Sequence, residues 1–171
     1  MLQDYKKHCE ERKEQGIPPL PLSAQQTSDL VELLKSKHEE SELLLELLNE
    51  RIPAGVDQAA YVKAGFLADI TTDEASSPYI SKKEAVMILG TMLGGYNIQP
   101  LIRCLEDDEL GEVAASALSK TLLIFDAFND VLALSETNKN AKTVIDSWAE
   151  GLWFKEKHEI AEQIKLTVYK V

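Results

Sequence analysis

Apolar residues recur along this chain at the three- and four-residue intervals of an α-helix almost from end to end. A heavily charged opening segment, roughly residues 2–14, gives way to Gly16-Ile17-Pro18-Pro19-Leu20-Pro21-Leu22. Three prolines in four residues remove backbone donors and fix φ, which predicts an extended, helix-terminating connector. Ser23 opens the next helix, with Gln26 completing a capping box and Leu30, Val31 and Leu34 on its apolar face. Leu43, Leu44, Leu47 and Leu48 mark a second leucine-rich helix, which Ile52-Pro53-Ala54-Gly55 stops. Asp57 caps a third, with the stripe Ala60, Tyr61, Ala64, Leu67 and Ala68. Ser81-Lys82-Lys83-Glu84 is another capping box and opens a helix carrying Ala85, Ile88, Leu89 and Met92. Gly94-Gly95 is read as its C-terminal stop, since glycine tolerates the left-handed position there.

From Asn97 to Ser119 a short helix, an acidic turn and a small-residue helix (Val113, Ala114, Ala117, Leu118) follow in order. That is the layout of a HEAT-type helical hairpin, in which alanines allow close packing and the acidic turn stays solvated. The earlier helices pair at about 40 residues, near the HEAT period. An aromatic helix (Phe125, Phe128, Val131, Leu132), an Asn-rich turn near 138–140, a helix ending around Trp148 and a short helix over about 153–164 complete the pattern. Leu166–Val171 alternates like a β-strand with nothing nearby to pair with. The expected fold is all-α, a HEAT-like α-α superhelix of antiparallel helix pairs with a short C-terminal strand. The helical domain is expected over residues 1–165, with 166–171 starting a linker or strand towards a further domain.

The 171 residues suit one domain with a real core. Eighteen basic against 29 acidic side chains leave a net charge of −11, spread evenly over both halves. Binding a phosphate backbone depends on Lys and Arg displacing counterions, so the charge argues against nucleic acid as a partner of this domain alone. No apolar run reaches signal-peptide or bilayer-spanning length, and the reading is a cytoplasmic protein with no membrane partner.

Candidate chemistry is sparse. Two cysteines, Cys9 and Cys104, cannot build a four-cysteine zinc site or supply the thiolates of an iron–sulfur cluster. His8-Cys9 reads as an exposed helical pair whose side chains diverge, and Cys104 as a small core residue. Glu106-Asp107-Asp108-Glu109 lacks the alternating ligands and central glycine of a calcium loop, and suits a helix start. Gly94-Gly95 lacks the longer pattern of a phosphate loop. No residues are assigned to catalysis, cofactor binding or metal binding. Trp148, Trp153, Phe125 and Phe128 read as core or as anchors for a partner.

Four stretches carry a resemblance. Ile17–Leu22, Ala59-Ala60-Tyr61-Val62-Lys63-Ala64-Gly65-Phe66-Leu67, Leu89-Gly90-Thr91-Met92-Leu93-Gly94-Gly95-Tyr96-Asn97-Ile98-Gln99-Pro100-Leu101 and Thr121–Phe128 occur in the order seen in the N-terminal domain of the bacterial B-type aconitate hydratases. The chain resembles that domain over essentially its whole length. The resemblance implies a parent hydro-lyase of the tricarboxylic acid cycle. Such an enzyme interconverts citrate and isocitrate through cis-aconitate and often also dehydrates 2-methylisocitrate. It uses a four-iron cluster held by three cysteines of later domains, so none of these ligands is carried onto this chain. It further implies a non-catalytic domain that serves protein–protein contact, oligomerisation or substrate access. The implied partners are the remaining domains of the parent, a second copy or another metabolic enzyme. The competing readings are a free-standing HEAT-like adaptor with no enzymatic role and, on the resemblance's link to mRNA, an RNA-binding repeat. The interaction surface is expected at Tyr96, Asn97 and Gln99, which follow the double glycine, together with Trp153, which adjoins the exit strand.

Overall fold

Two reciprocal capping boxes start the helices that the pattern marks most clearly. At Ser23 the hydroxyl accepts from the Gln26 N–H while the Gln26 side chain accepts from the Ser23 N–H. Ser81 and Glu84 repeat the arrangement. Hydrogen bonds from the Ser81 hydroxyl, and next from its backbone N–H, hold the Glu84 carboxyl below its ordinary pKa. Each box satisfies two otherwise orphaned N–H groups and contributes about 1 kcal/mol to its helix. Asp57 and Asn138 cap two further helices through their side-chain oxygens.

The computed structural model describes residues 1–121 and 125–150. These fall into two units, Met1–Asn97 and a second beginning at Ile98. The first holds α1 (Leu2–Glu14), α2 (Ala24–Leu34), α3 (Ser41–Glu50), α4 (Gln58–Thr71) and α5 (Lys82–Thr91). The second holds α6 (Ile98–Cys104), α7 (Gly111–Ser119), α8 (Phe125–Ser135) and α9 (Lys139–Ala149). Among the described residues there is no strand, and successive helices pack as the pairs α2–α3, α4–α5, α6–α7 and α8–α9. This is the all-α, HEAT-like arrangement of antiparallel pairs that the pattern predicts. The expected helix over 153–164 and the strand over 166–171 lie outside the described residues.

In the first unit α4 is the central helix, packed on both α2 and α5. Leu30, Leu34, Leu44, Leu48, Leu67 and Leu89 are fully enclosed around it. Packing on two sides demands a wide buried surface. Ala59, Ala60, Lys63, Ala64, Phe66, Leu67, Ile70 and Thr71 are all buried, leaving Tyr61, Gly65 and Asp69 as an exposed edge. The stripe expected from the sequence placed Tyr61 inside; the two-sided packing turns it out and brings Lys63 in. In the second unit α9 packs on α7 and α8, and Leu101, Leu105, Leu118, Val131 and Val144 form the core. Cys104 is buried among them, as its neighbours indicated. The Trp148 indole N–H donates to the Leu118 carbonyl at 2.9 Å, and its ring stacks on Phe128 with centroids 5.8 Å apart. In the acidic turn, Asp107 accepts from the N–H groups of Glu109 and Leu110, which makes this carboxylate a turn-former.

Lys63 is only 7% exposed. Burial lowers its pKa, partly opposed by the negative charge of Glu50. A lowered lysine pKa means that the protonated form is disfavoured in the folded state. The cost is therefore fully present below the folded pKa, and it is relieved as pH rises from there through the unfolded value of about 10.4. Lys63→Met is expected to raise stability at neutral pH by about 1 kcal/mol. In urea unfolding, its advantage over the parent sequence should shrink as the pH becomes alkaline.

Candidate functional site

The double glycine after α5 builds the most distinctive surface of the first unit. It is not the helix stop that the sequence suggested. α5 closes at Met92, which is extended at φ −75° and ψ 147°, and the glycines follow in the loop. The stop is made by Asn97: its buried side-chain amide donates to the Leu89 carbonyl at 2.8 Å and to the Met92 carbonyl at 3.1 Å. A side chain reaching back from five and eight residues on leaves no need for a left-handed cap.

Gly94 and Gly95 have φ of +98° and +96°, a region L-residues rarely adopt. Gly94 also meets the loop between α3 and α4 backbone to backbone. A methyl group built on it would lie 2.3 Å from the carbonyl carbon and oxygen of Gly55. The two loops are thereby held together. Tyr96 crosses the junction, donating its hydroxyl hydrogen to the Val56 carbonyl at 3.1 Å. Its ring meets Tyr61 edge-on, centroids 5.3 Å apart at 74°. Such a pair contributes about 1 kcal/mol beyond burial.

Around this junction stand the three most exposed large apolar side chains of the described residues: Val56 at 75%, Leu93 at 69% and Tyr61 at 59%. Singly they would need no explanation; grouped on two locked loops and a helix edge they form an apolar platform. Leu93 also borders a cavity of about 120 Å³ that Ala54, Ala60, Lys63 and Met92 help to line.

Of the residues singled out from sequence, Tyr96 joins the platform and Asn97 lies buried beneath its loop. Gln99 belongs to the second unit, where it is exposed and its amide donates to Asp130 at 3.3 Å. Trp153 lies outside the described residues. Val56, Tyr61 and Leu93 were missed. A signal existed for Tyr61: Gly65 and Asp69 stand four and eight residues on, a glycine and an acid that mark a solvent face.

Among the described residues no three His, Cys, Asp or Glu side chains are grouped to hold a metal ion. Cys9 is half-buried on α1 and Cys104 is enclosed in the apolar core of the second unit. Two thiols so placed do not fit a cluster that needs three thiolates. His8 is likewise half-buried, where exposure was expected. No helix among the described residues is long and apolar enough to cross a membrane.

The described fold is an all-α HEAT-like domain with an apolar platform and no grouped metal ligands among the described residues. Residues 4–154 match the family described as the aconitate B N-terminal domain. The whole chain aligns at 59% identity with aconitate hydratase B of Synechocystis sp. and at 52% with that of Escherichia coli; 99% of it aligns at 45% with that of Helicobacter pylori. The chain belongs to the family of the aconitate B N-terminal domain. It spans 20% of the length of each of these relatives.

Gly94→Ala is expected to cost about 3 kcal/mol, because both φ and the Gly55 backbone oppose a methyl group. Gly95→Ala, with open space around it, is expected to cost about 1 kcal/mol, for conformation alone. Equal losses in denaturant titrations would show that the backbone junction contributes nothing.

Proposed function

We propose that this chain is the non-catalytic N-terminal interaction domain of a B-type aconitate hydratase, and that its platform docks the remainder of the parent polypeptide. The observation that carries the reading is the group Val56, Tyr61, Leu93 and Tyr96 on loops locked by the Gly55–Gly94 contact. The alignment supports the choice of occupant. Relatives are about five times as long as this chain, so four-fifths of such a polypeptide needs a surface against which to pack. Gln99 and Trp153 are proposed as further contacts, and Asn97 as the residue that holds the platform's loop in shape. The parent reaction is the citrate–isocitrate interconversion through cis-aconitate, with 2-methylisocitrate as a further substrate. The four-iron cluster belongs to the remainder of the parent, and the domain acts in the cytoplasm. A rigid apolar surface suits contact between folded domains because little ordering entropy is lost on docking.

The test mixes the 171-residue chain with the separately expressed remainder of the parent. Tyr61→Ser with Leu93→Ser is expected to weaken their association by about tenfold or more, with unchanged helix content and a melting temperature lowered only by the few degrees that loss of the Tyr61–Tyr96 contact implies. Gln99→Ala and Trp153→Ala should each weaken it less. Undiminished association would remove the platform from the docking surface, and citrate–isocitrate turnover by the 171-residue chain alone would overturn the non-catalytic assignment.

A further inference from the structure

The attachment of α1 has an unusual chemistry. Only Leu2 and Tyr5 of this helix are buried. Between it and α3 lies a groove of about 440 Å³, lined by Leu2, Tyr5, Cys9, Leu43, Leu47 and Arg51 among others. An underfilled contact of this kind gives little hydrophobic adhesion. The helix is held instead by polar contacts: one ends on the imidazole of its own His8, and another, the Lys6–Glu40 pair, ends on a residue whose backbone N–H is held by the imidazole of His38.

The backbone N–H of Leu20, in the proline-rich connector, donates to His8 Nε2 at 3.0 Å. The backbone N–H of Glu40 donates to His38 Nδ1 at 3.0 Å. An amide N–H can only donate, so both ring nitrogens must carry a free lone pair, and each imidazole is neutral in this arrangement. Around His8, Tyr5 of the same helix donates to the Leu20 carbonyl. Arg12 donates to the Pro18 carbonyl, and Arg51, from the end of α3, donates to Tyr5 and to the Pro19 carbonyl. Around His38, the Tyr79 hydroxyl, from the loop before α5, bridges the residue's own N–H and carbonyl. The carboxylate of Glu40 pairs with Lys6 of α1. His38 thus positions the backbone of the residue that holds α1 at its middle, and His8 holds the connector that follows α1.

We propose that His8 and His38 form a proton-operated latch that fastens α1 and its connector while both rings are neutral and loosens them when the rings are protonated. Protonation removes both acceptors. At His8 it also adds a positive charge beside Arg12 and Arg51, which already converge on the connector. At His38 the new cation competes with Lys6 for Glu40. Opening of the latch would uncover the groove against α3, with its Leu43 and Leu47.

Hydrogen exchange on the full 171-residue chain tests the proposal, with rates corrected for the intrinsic pH dependence of exchange. Between about pH 7.5 and about pH 5.5, either side of the imidazole range, protection of the α1, Leu20 and Glu40 amides should fall about tenfold, as two lost hydrogen bonds imply. The α4 amides should keep theirs. The combined variant His8→Gln and His38→Asn keeps an acceptor oxygen near each ring-nitrogen position but cannot take up a proton there. It should hold α1 equally well at both pH values, whereas His8→Leu should leave α1 loose at both. Unchanged protection of α1 in the parent sequence, or the same pH response in the Gln/Asn variant, overturns the latch.

Discussion

The first unit is organised by the demand that α4 be packed on two sides. A helix covered by one neighbour buries a stripe; one held between α2 and α5 must bury most of its circumference. That demand accounts for the alanines at 59, 60 and 64, which let neighbouring backbones approach. It accounts for a lysine carried inside at position 63 with its charge disfavoured. It also leaves a single narrow edge, Tyr61, Gly65 and Asp69, facing water. Tyr61 is therefore exposed because the other sides of α4 are already occupied.

The platform follows from that edge and from one backbone contact. Gly55 and Gly94 touch without side chains between them, so the loop entering α4 and the loop leaving α5 behave as one piece. Tyr96 lies across the seam and joins both. Asn97 then closes the carbonyl end of α5 from behind. Surface apolar groups held this firmly are suited to recognition, since their positions are set before a partner arrives. The groove beneath α1 is the opposite case: its walls mix apolar residues with Lys6, Glu10, Glu46 and Arg51, and the helix over it is fastened by hydrogen bonds and an ion pair. The platform is permanently presented, whereas Leu43 and Leu47 of the groove are covered by a helix held through polar contacts.

Much of the architecture is legible in the sequence. The capping boxes at Ser23 and Ser81, the Asp57 cap, the proline-rich connector and the burial of Cys104 all rest on local chemistry, which the tertiary environment had no reason to override. The site was legible only in part. Tyr96 was singled out because it follows two glycines, but the residues it contacts, Tyr61 and Val56, lie 35 and 40 residues earlier, and no local rule connects them. The double glycine was misread as a helix stop because a left-handed glycine does stop many helices; here a more distant asparagine takes that role.

By itself, the sequence determined that this chain is helical, where most helices start, that it carries only two thiols, and that it resembles one family closely enough to be placed in it. The first three depend on periodicity, capping and composition, which act over a few residues or over none; the resemblance rests on particular residues recurring in order. Tertiary structure alone decided which apolar residues face outward, why two glycines must touch, and that two histidines serve as acceptors for backbone N–H groups. These depend on contacts between residues distant in the chain, and in each case packing rather than residue type chose the outcome.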